Sequence, residues 1–350
     1  MIDINNLTDA ENIFIKEFKS YNNTLEVIDN LNKFEDLNKL EILKSELNLM
    51  TEQYLNLLHQ AVKLVKISDS TQLKLRNVQQ QLKQQNLKIE EQNNELTKSN
   101  EIKQSLLNVI NTDLSKAADY VKSLLPKPIL NRKLGVEVNW KFEPSAKLGG
   151  DMFGYKFHDD ENFIFFLFDV CGHGIGPALY SVSVFNAINN QNLIHVDFLS
   201  PVSVLRGLNK VFNMRNHNDL YFTIWYGVLN LSTLKLTYAA AGHPPAILIS
   251  NTEFNKLPEA DNFFIGGVPN FPFEEATCQL NSGDSLYIFS DGAYEIRKNH
   301  NEYYTPDELK EFIIANNDKK NILDLVYKHI QLINYDPILE DDFSILKISI

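Results

Sequence analysis

Apolar positions divide this chain into two regimes. In the first, Ile13, Phe14, Phe18, Leu25, Ile28 and Leu31 keep helical spacing, as do Leu37, Leu40, Ile42, Leu43, Leu47 and Met50. Tyr54, Leu57, Leu58, Val62, Leu64 and Val65 continue the stripe, predicting a small helical hairpin or bundle. From Gln72 the pattern becomes heptad-like, with Leu75, Leu82, Ile89 and Leu96 falling seven apart. If these are d positions, the a positions are Gln79, Asn86, Asn93 and Asn100. Asn at a favours a parallel two-stranded coiled coil of fixed register and lowers its stability. A solvated single helix acting as a spacer is the alternative. Ile102, Leu106, Val109 and Ile110 prolong the stripe, and Ala117, Ala118, Val121, Leu124 and Leu125 carry it to Pro126, where proline ends the helix.

Beyond the prolines the period changes from helical to extended. Val136, Val138 and Trp140 alternate with polar neighbours as a half-buried strand does. Phe163 to Phe168 is apolar throughout, so it should be a central strand covered on both faces. Residues 178–189 and 202–214 read as helices, and residues 222–229, 234–239, 246–249, 276–280 and 286–289 as strands. Thr305, Pro306 and Glu308 form a capping-box signature for a helix, another helix follows over 321–334, and residues 344–350 close with a strand. Grouped strands with helices between and after them predict an α+β layered sandwich.

Composition narrows the function classes. The net charge of -12 argues against nonspecific nucleic-acid binding, which rests on cationic contacts to phosphate. Only Cys171 and Cys278 are present, so neither a disulfide framework nor a zinc site is indicated, and a reducing compartment is expected. Met1 to Glu11 lacks the charged head and apolar stretch of a secretion signal, and no apolar run approaches a membrane span; a cytoplasmic location is expected. Residues 1–115 contain no glycine or proline, whereas both recur from Leu125 onward, which marks a boundary between Lys116 and Asn131. The expected organisation is a helical regulatory or dimerisation segment over 1–70, a coiled-coil linker over 71–115 and a catalytic domain over 116–350.

Candidate chemistry lies in acids that punctuate strand ends. The run Phe163 to Phe168 meets Asp169-Val170-Cys171-Gly172-His173-Gly174, and three more acidic points stand beside strand-like segments: Gly149-Gly150-Asp151, Ser290-Asp291-Gly292 and Asp341-Asp342. If they converge, carboxylates about 4 Å apart repel by roughly 4 kcal/mol per pair at an effective dielectric of about 20. Divalent cations remove that repulsion, and an all-oxygen ligand set suits Mg²⁺ or Mn²⁺. The bland alternative is that these acids are ordinary turn residues. A phosphate cradle built from Gly172, Gly174 and Gly176 is a weaker reading, since no Lys-Ser/Thr pair follows them.

These motifs, with Ala241-Gly242-His243-Pro244-Pro245 and Ser282-Gly283-Asp284, give residues 116–350 a resemblance to the SpoIIE/RsbU branch of the PPM (type 2C) metal-dependent protein serine/threonine phosphatases. The resemblance implies a PPM-type sandwich of two antiparallel β-sheets flanked by helices, preceded by the α-helical, coiled-coil segment. It also implies a centre of two Mn²⁺ or Mg²⁺ ions. Carried over by motif, Asp169 would bridge both metals, Asp151 and the Val170 carbonyl would serve one, and Asp291 with Asp341 the other; Asp342 is the alternative to Asp341, because a one-residue slip turns a side chain to the opposite face. Cys171 is expected to pack rather than attack. His173 is open to a role in proton donation or in the turn, and Lys147 is the only base near Asp151 that could clamp phosphate. Implied substrates are phosphoserine or phosphothreonine on a partner protein, with a STAS-type anti-sigma-factor antagonist as the candidate, and a parallel homodimer is expected through the coiled coil. The competing reading is a catalytically silent coiled-coil scaffold that binds partners.

Overall fold

The computed structural model describes residues 2–3, 6–30, 37–130, 135–145, 147–250, 253–255, 257–258, 261–299, 302–336 and 339–350. Leu31 of the helical stripe and Asn131 at the outer limit of the expected boundary lie outside these residues. The chain divides into two compact units, Met1–Ser105 and Leu106–Ile350.

The first unit is helical: α1 (Asp9–Asn12), α2 (Ile15–Asn30) and the greater part of α3 (Leu37–Leu124). A capping box between Thr8 and Glu11 starts α1. Because no glycine or proline interrupts it, α3 runs unbroken through residues 70 and 115. Only part of the helical stripe is buried, in a small core where Phe18 meets Leu58 and Val62. Leu75, Leu82, Ile89 and Leu96 are 57%, 56%, 53% and 60% exposed, so their seam has no partner among the described residues. No helix among the described residues is long and apolar enough to cross a membrane.

The second unit begins with the last turns of α3, where Leu114, Ala118, Val121 and Leu124 face the core. Then come β1 (Glu137–Glu143), β2 (Met152–Phe157), β3 (Asn162–Val170), α4 (Ile175–Asn189) and α5 (Pro201–Val211). Five strands follow: β4 (Phe222–Asn230), β5 (Lys235–Ala241), β6 (Ile247–Ser250), β7 (Glu253–Asn255) and β8 (Asp261–Asn262). The chain continues through β9 (Ala276–Gln279), β10 (Ser285–Phe289), β11 (Arg297–Asn299) and β12 (Glu302–Tyr303), and ends with α6 (Pro306–Asn316), α7 (Ile322–Ile333) and β13 (Phe343–Ser349). The expected capping box forms at α6, where Thr305 accepts from the Glu308 amide and Glu308 accepts from Thr305.

Two sheets result, β1-β13-β10-β6-β7 and β2-β3-β4-β5-β8 with β9 paired to β5. Pairing in both is antiparallel except for the short β5–β8 contact, which is parallel. Period-2 alternation builds the layers. On β10, Leu286 and Ile288 enter the core between the sheets, while Tyr287 and Phe289 join the cluster with Leu309, Ile313, Val326 and Ile330 of α6 and α7. On the other sheet, Phe166 meets Phe185 of α4 with ring centres 6.1 Å apart. The order is therefore helices, sheet, sheet, helices: the layered sandwich the sequence pattern predicts, in the arrangement the resemblance implies.

As expected, β3 is central: Phe163 to Phe168 are at most 1% exposed, between β2 and β4. β2 carries no alternation to announce it, since its first four residues are all buried. Its Gly154 leaves room for the Phe166 ring, which lies 2.5 Å from where a Cβ would stand.

Candidate active site

Strand register sets the acids' positions. Met152 pairs with Phe168, so the antiparallel ladder carried one step further puts Asp151 opposite Asp169. Asp169 shares its face with Phe165 and Leu167, and Asp151 shares its own with Phe153, which meets Trp140 of the opposite sheet at 5.0 Å. Both acids therefore belong to the end of the space between the sheets. The other sheet brings its acids to the same place: Ser290 N–H donates to Ser344 O at 3.0 Å, and Asp291 opens a 3₁₀ turn just past β10.

Three glycines make the approach possible. A Cβ on Gly150 would lie 2.6 Å from Val170 O and 3.4 Å from Asp169 Oδ1; one on Gly149 would lie 2.1 Å from Asp342 Oδ2; one on Gly292 would lie 2.2 Å from Asp342 O. All four acidic motifs thus meet. The two members of the final pair differ in what they do. Asp342 is buried, and its Oδ1 accepts from Ser145 N–H at 2.8 Å and Ser145 Oγ–H at 3.2 Å. Its Oδ2 accepts from Gly150 N–H at 2.7 Å and Asp151 N–H at 3.4 Å. Asp341 is exposed, and its Oδ1 accepts from the Asp342 amide at 2.8 Å.

Electrostatics record the crowding. Burial, then the charges of Asp291, Asp341 and Asp342, push the Asp169 carboxyl up to about 8. Although Asp341 is exposed as a residue, loss of hydration at its carboxyl chiefly, and Asp291 among the neighbouring charges, lift it to about 6. Asp291 is raised by burial and Glu295, and Asp151 is raised well above the carboxylate range by burial, Asp169 and Asp342. Asp151 Oδ2 is buried without a hydrogen-bond partner. An orphaned carboxylate oxygen among acids of raised pKa fits a hard divalent cation by its donor chemistry. Among the described residues, no three His, Cys, Asp or Glu side chains already close on one point.

Other residues near the site have defined tasks. Cys171 Sγ accepts from Tyr221 N–H at 3.3 Å, and burial raises its thiol, so it is held as an acceptor and not as a thiolate. His243 is buried, its Nδ1 2.9 Å from Thr223 Oγ1, and burial lowers it to about 3, leaving it neutral. Lys147 does not face a phosphate position: its Nζ donates to Asn111 O at 2.8 Å and Ser115 Oγ at 3.0 Å on α3. Asp284 accepts from Asn281 N–H at 2.8 Å, a turn role. Sequence reasoning did not find Ser145, and it marked Ser290 only as a neighbour of Asp291, not as the residue whose Oγ donates to Asp342 O at 3.1 Å. Serine in a loop carries no periodic signal.

The chain is similar to several known proteins. The chain is 27% identical over 216 residues to "Phosphoserine phosphatase RsbP" of Bacillus subtilis (strain 168), covering 58% of this chain and 52% of that protein. It is 25% identical over 243 residues to "Phosphoserine phosphatase RsbU" of the same organism, covering 68% and 70%. The chain thus spans about half of RsbP and about two thirds of RsbU. Among solved structures, the SiaA-PP2C domain of Pseudomonas aeruginosa superposes with a TM-score of 0.60 at 17% identity, over 69% of this chain and 98% of that one, which establishes the shared fold. Residues 159–350 match the family described as Stage II sporulation protein E (SpoIIE). That match takes in more than half of the 350 residues, and the chain therefore belongs to the SpoIIE family.

Proposed function

We propose that this chain is a metal-dependent protein serine/threonine phosphatase acting on a phosphorylated partner protein. The observation that carries the reading is the meeting of four acidic motifs, two from each sheet, around the unpartnered Asp151 Oδ2. The phosphoserine phosphatases to which the chain is similar support it.

Asp151, Asp169, Asp291 and Asp341, with the Val170 carbonyl, would hold two Mn²⁺ or Mg²⁺ ions. When bound, such ions supply a water acidic enough to attack near neutral pH and offset charge on the phosphoryl oxygens. The chain's own part is positioning. Asp342 is the anchor of the turn bearing Asp151, since its oxygens already take four donors. His173, exposed in the turn that follows β3, is the candidate donor to the substrate phosphate or the leaving serine oxygen. Cys171 has no nucleophilic part. A STAS-type anti-sigma-factor antagonist is the candidate substrate, by resemblance.

The exposed heptad seam over residues 75–96 supports a parallel homodimer through α3, with residues 1–115 regulating the catalytic domain. Removing residues 1–115 is expected to change both the mass in light scattering and the turnover rate. For the chemistry, turnover of a phosphoserine protein should vanish in EDTA, return with Mn²⁺ and drop at least about a thousandfold in Asp169→Asn. Metal-independent turnover that survives the substitution would sink the reading.

A further inference from the structure

A cleft of about 540 Å³ lies between α5 and the loop that follows β8, lined by Arg206, Lys210, Asn213, Asn270, Phe271 and neighbouring residues. Arg206 and Lys210 stand one helical turn apart on the exposed side of α5. Among the described residues, neither forms a salt bridge and no acid lines the cleft. Glu275, the carboxylate just before β9, is engaged at the N-terminal end of α5, where it accepts from Val202 N–H at 3.2 Å. On a chain of net charge -12, two adjacent unpaired cations form a local exception to the prevailing field.

The cleft is joined to the candidate site by a row of aromatic rings. It begins at Tyr221, whose carbonyl accepts from Cys171 N–H at 3.0 Å, two residues past Asp169. Tyr221 meets Phe264 at 4.3 Å, Phe264 meets Phe263 at 4.1 Å, Phe263 meets Phe271 at 6.2 Å and Phe271 meets Phe273 at 5.0 Å. Phe263 is 41% exposed, although a ring of that size gains by burial. The cleft's walls are fixed. Buried Asn209 of α5 donates to Val268 O at 2.9 Å and accepts from Gly266 N–H at 2.8 Å. Phe222 and Ile265 exchange two backbone hydrogen bonds, tying the loop to β4 opposite Val170.

We propose that this cleft and its aromatic row are the docking surface for an acidic, extended segment of the phosphoprotein substrate, with Arg206 and Lys210 taking its carboxylates and Phe271 an apolar side chain. The proposal rests on the phosphatase reading and adds a substrate preference to it. Charge complementarity selects the occupant: carboxylates meet cations here and repulsion over much of the remaining surface. The continuous row of rings places that segment next to the reacting phosphoserine, and docking lowers the cost of orienting it.

The test uses the full chain and two fluorescein-labelled phosphoserine peptides, one flanked by Asp and Glu and one by Gln. Fluorescence anisotropy gives binding, and phosphate release with Mn²⁺ gives turnover. The wild type is expected to bind the acidic peptide at least about tenfold more tightly, with a salt-sensitive Kd. In Arg206→Glu/Lys210→Glu that preference should disappear or invert, and Phe271→Ala should weaken both peptides without changing their ratio. Both sites are at the surface, and circular dichroism checks that each variant is folded. An acidic-to-neutral binding ratio that is unchanged by the charge reversal, or near unity in the wild type, overturns the docking surface. Turnover absent from the wild type with either peptide overturns the phosphatase reading instead, and the anisotropy ratio still judges the cleft.

Discussion

Asp341 and Asp342 are chemically identical neighbours with opposite environments, and the contrast can be measured. Removing the Asp342 carboxylate leaves the Ser145 and Gly150 amides without acceptors, at roughly 1–3 kcal/mol for each buried group left unsatisfied. Asp342→Ala should therefore lower unfolding stability by about 2–4 kcal/mol in urea titration. Asp341→Ala, at an exposed position, should stay within about 1 kcal/mol of the wild type yet weaken Mn²⁺ binding in calorimetry. The reverse pattern would exchange the two roles. Alternation along a strand gives either residue of such a doublet a claim on the site, so the sequence leaves the choice open. Long-range hydrogen bonds set the two apart, spanning 192 residues from Gly150 to Asp342.

At the scale of elements, the helical and extended periods locate nearly every long segment, because each is a local consequence of one covered face. The limits are equally physical. A helical stripe predicts a helix but not what covers it: Leu82 and Ile89 keep heptad spacing and remain 56% and 53% exposed. If a second copy covers them, Leu82→Asp/Ile89→Asp should shift the mass in light scattering from dimer to monomer while helicity persists, and an unchanged mass would remove the coiled-coil dimer. β2 stayed hidden because a strand buried on both faces shows no alternation, and β7, β11 and β12 are too short for a period to register. Lys147 looked like a free cation beside Asp151, yet α3 claims it through Asn111 and Ser115.

For the molecule as a whole, the clustered acids tie stability to pH and to metal. The folded-state carboxyls of Asp169 and Asp341 lie at about 8 and about 6, above the ordinary value of 3.8. Between those values the folded chain holds protons that the unfolded chain has already released, so stability is highest at the acid end of this window. Without metal, the contribution of these groups falls as pH rises from about 4 to 8, and the melting temperature should fall with it. Millimolar Mn²⁺ should reverse that fall and release protons on binding. A melting temperature that rises over the same window without metal, with no response to Mn²⁺, would contradict a coupled acidic centre. The longer helices and most of the longer strands, the change of regime near Pro126 and the acids at strand ends were legible in the sequence, since each depends on residues close together in the chain. Only the tertiary structure decided which acid anchors and which faces outward, which cations are already engaged, and that Arg206, Lys210 and an aromatic row share one cleft. Those facts depend on strand register and on side chains that meet across two sheets, and no local period encodes them.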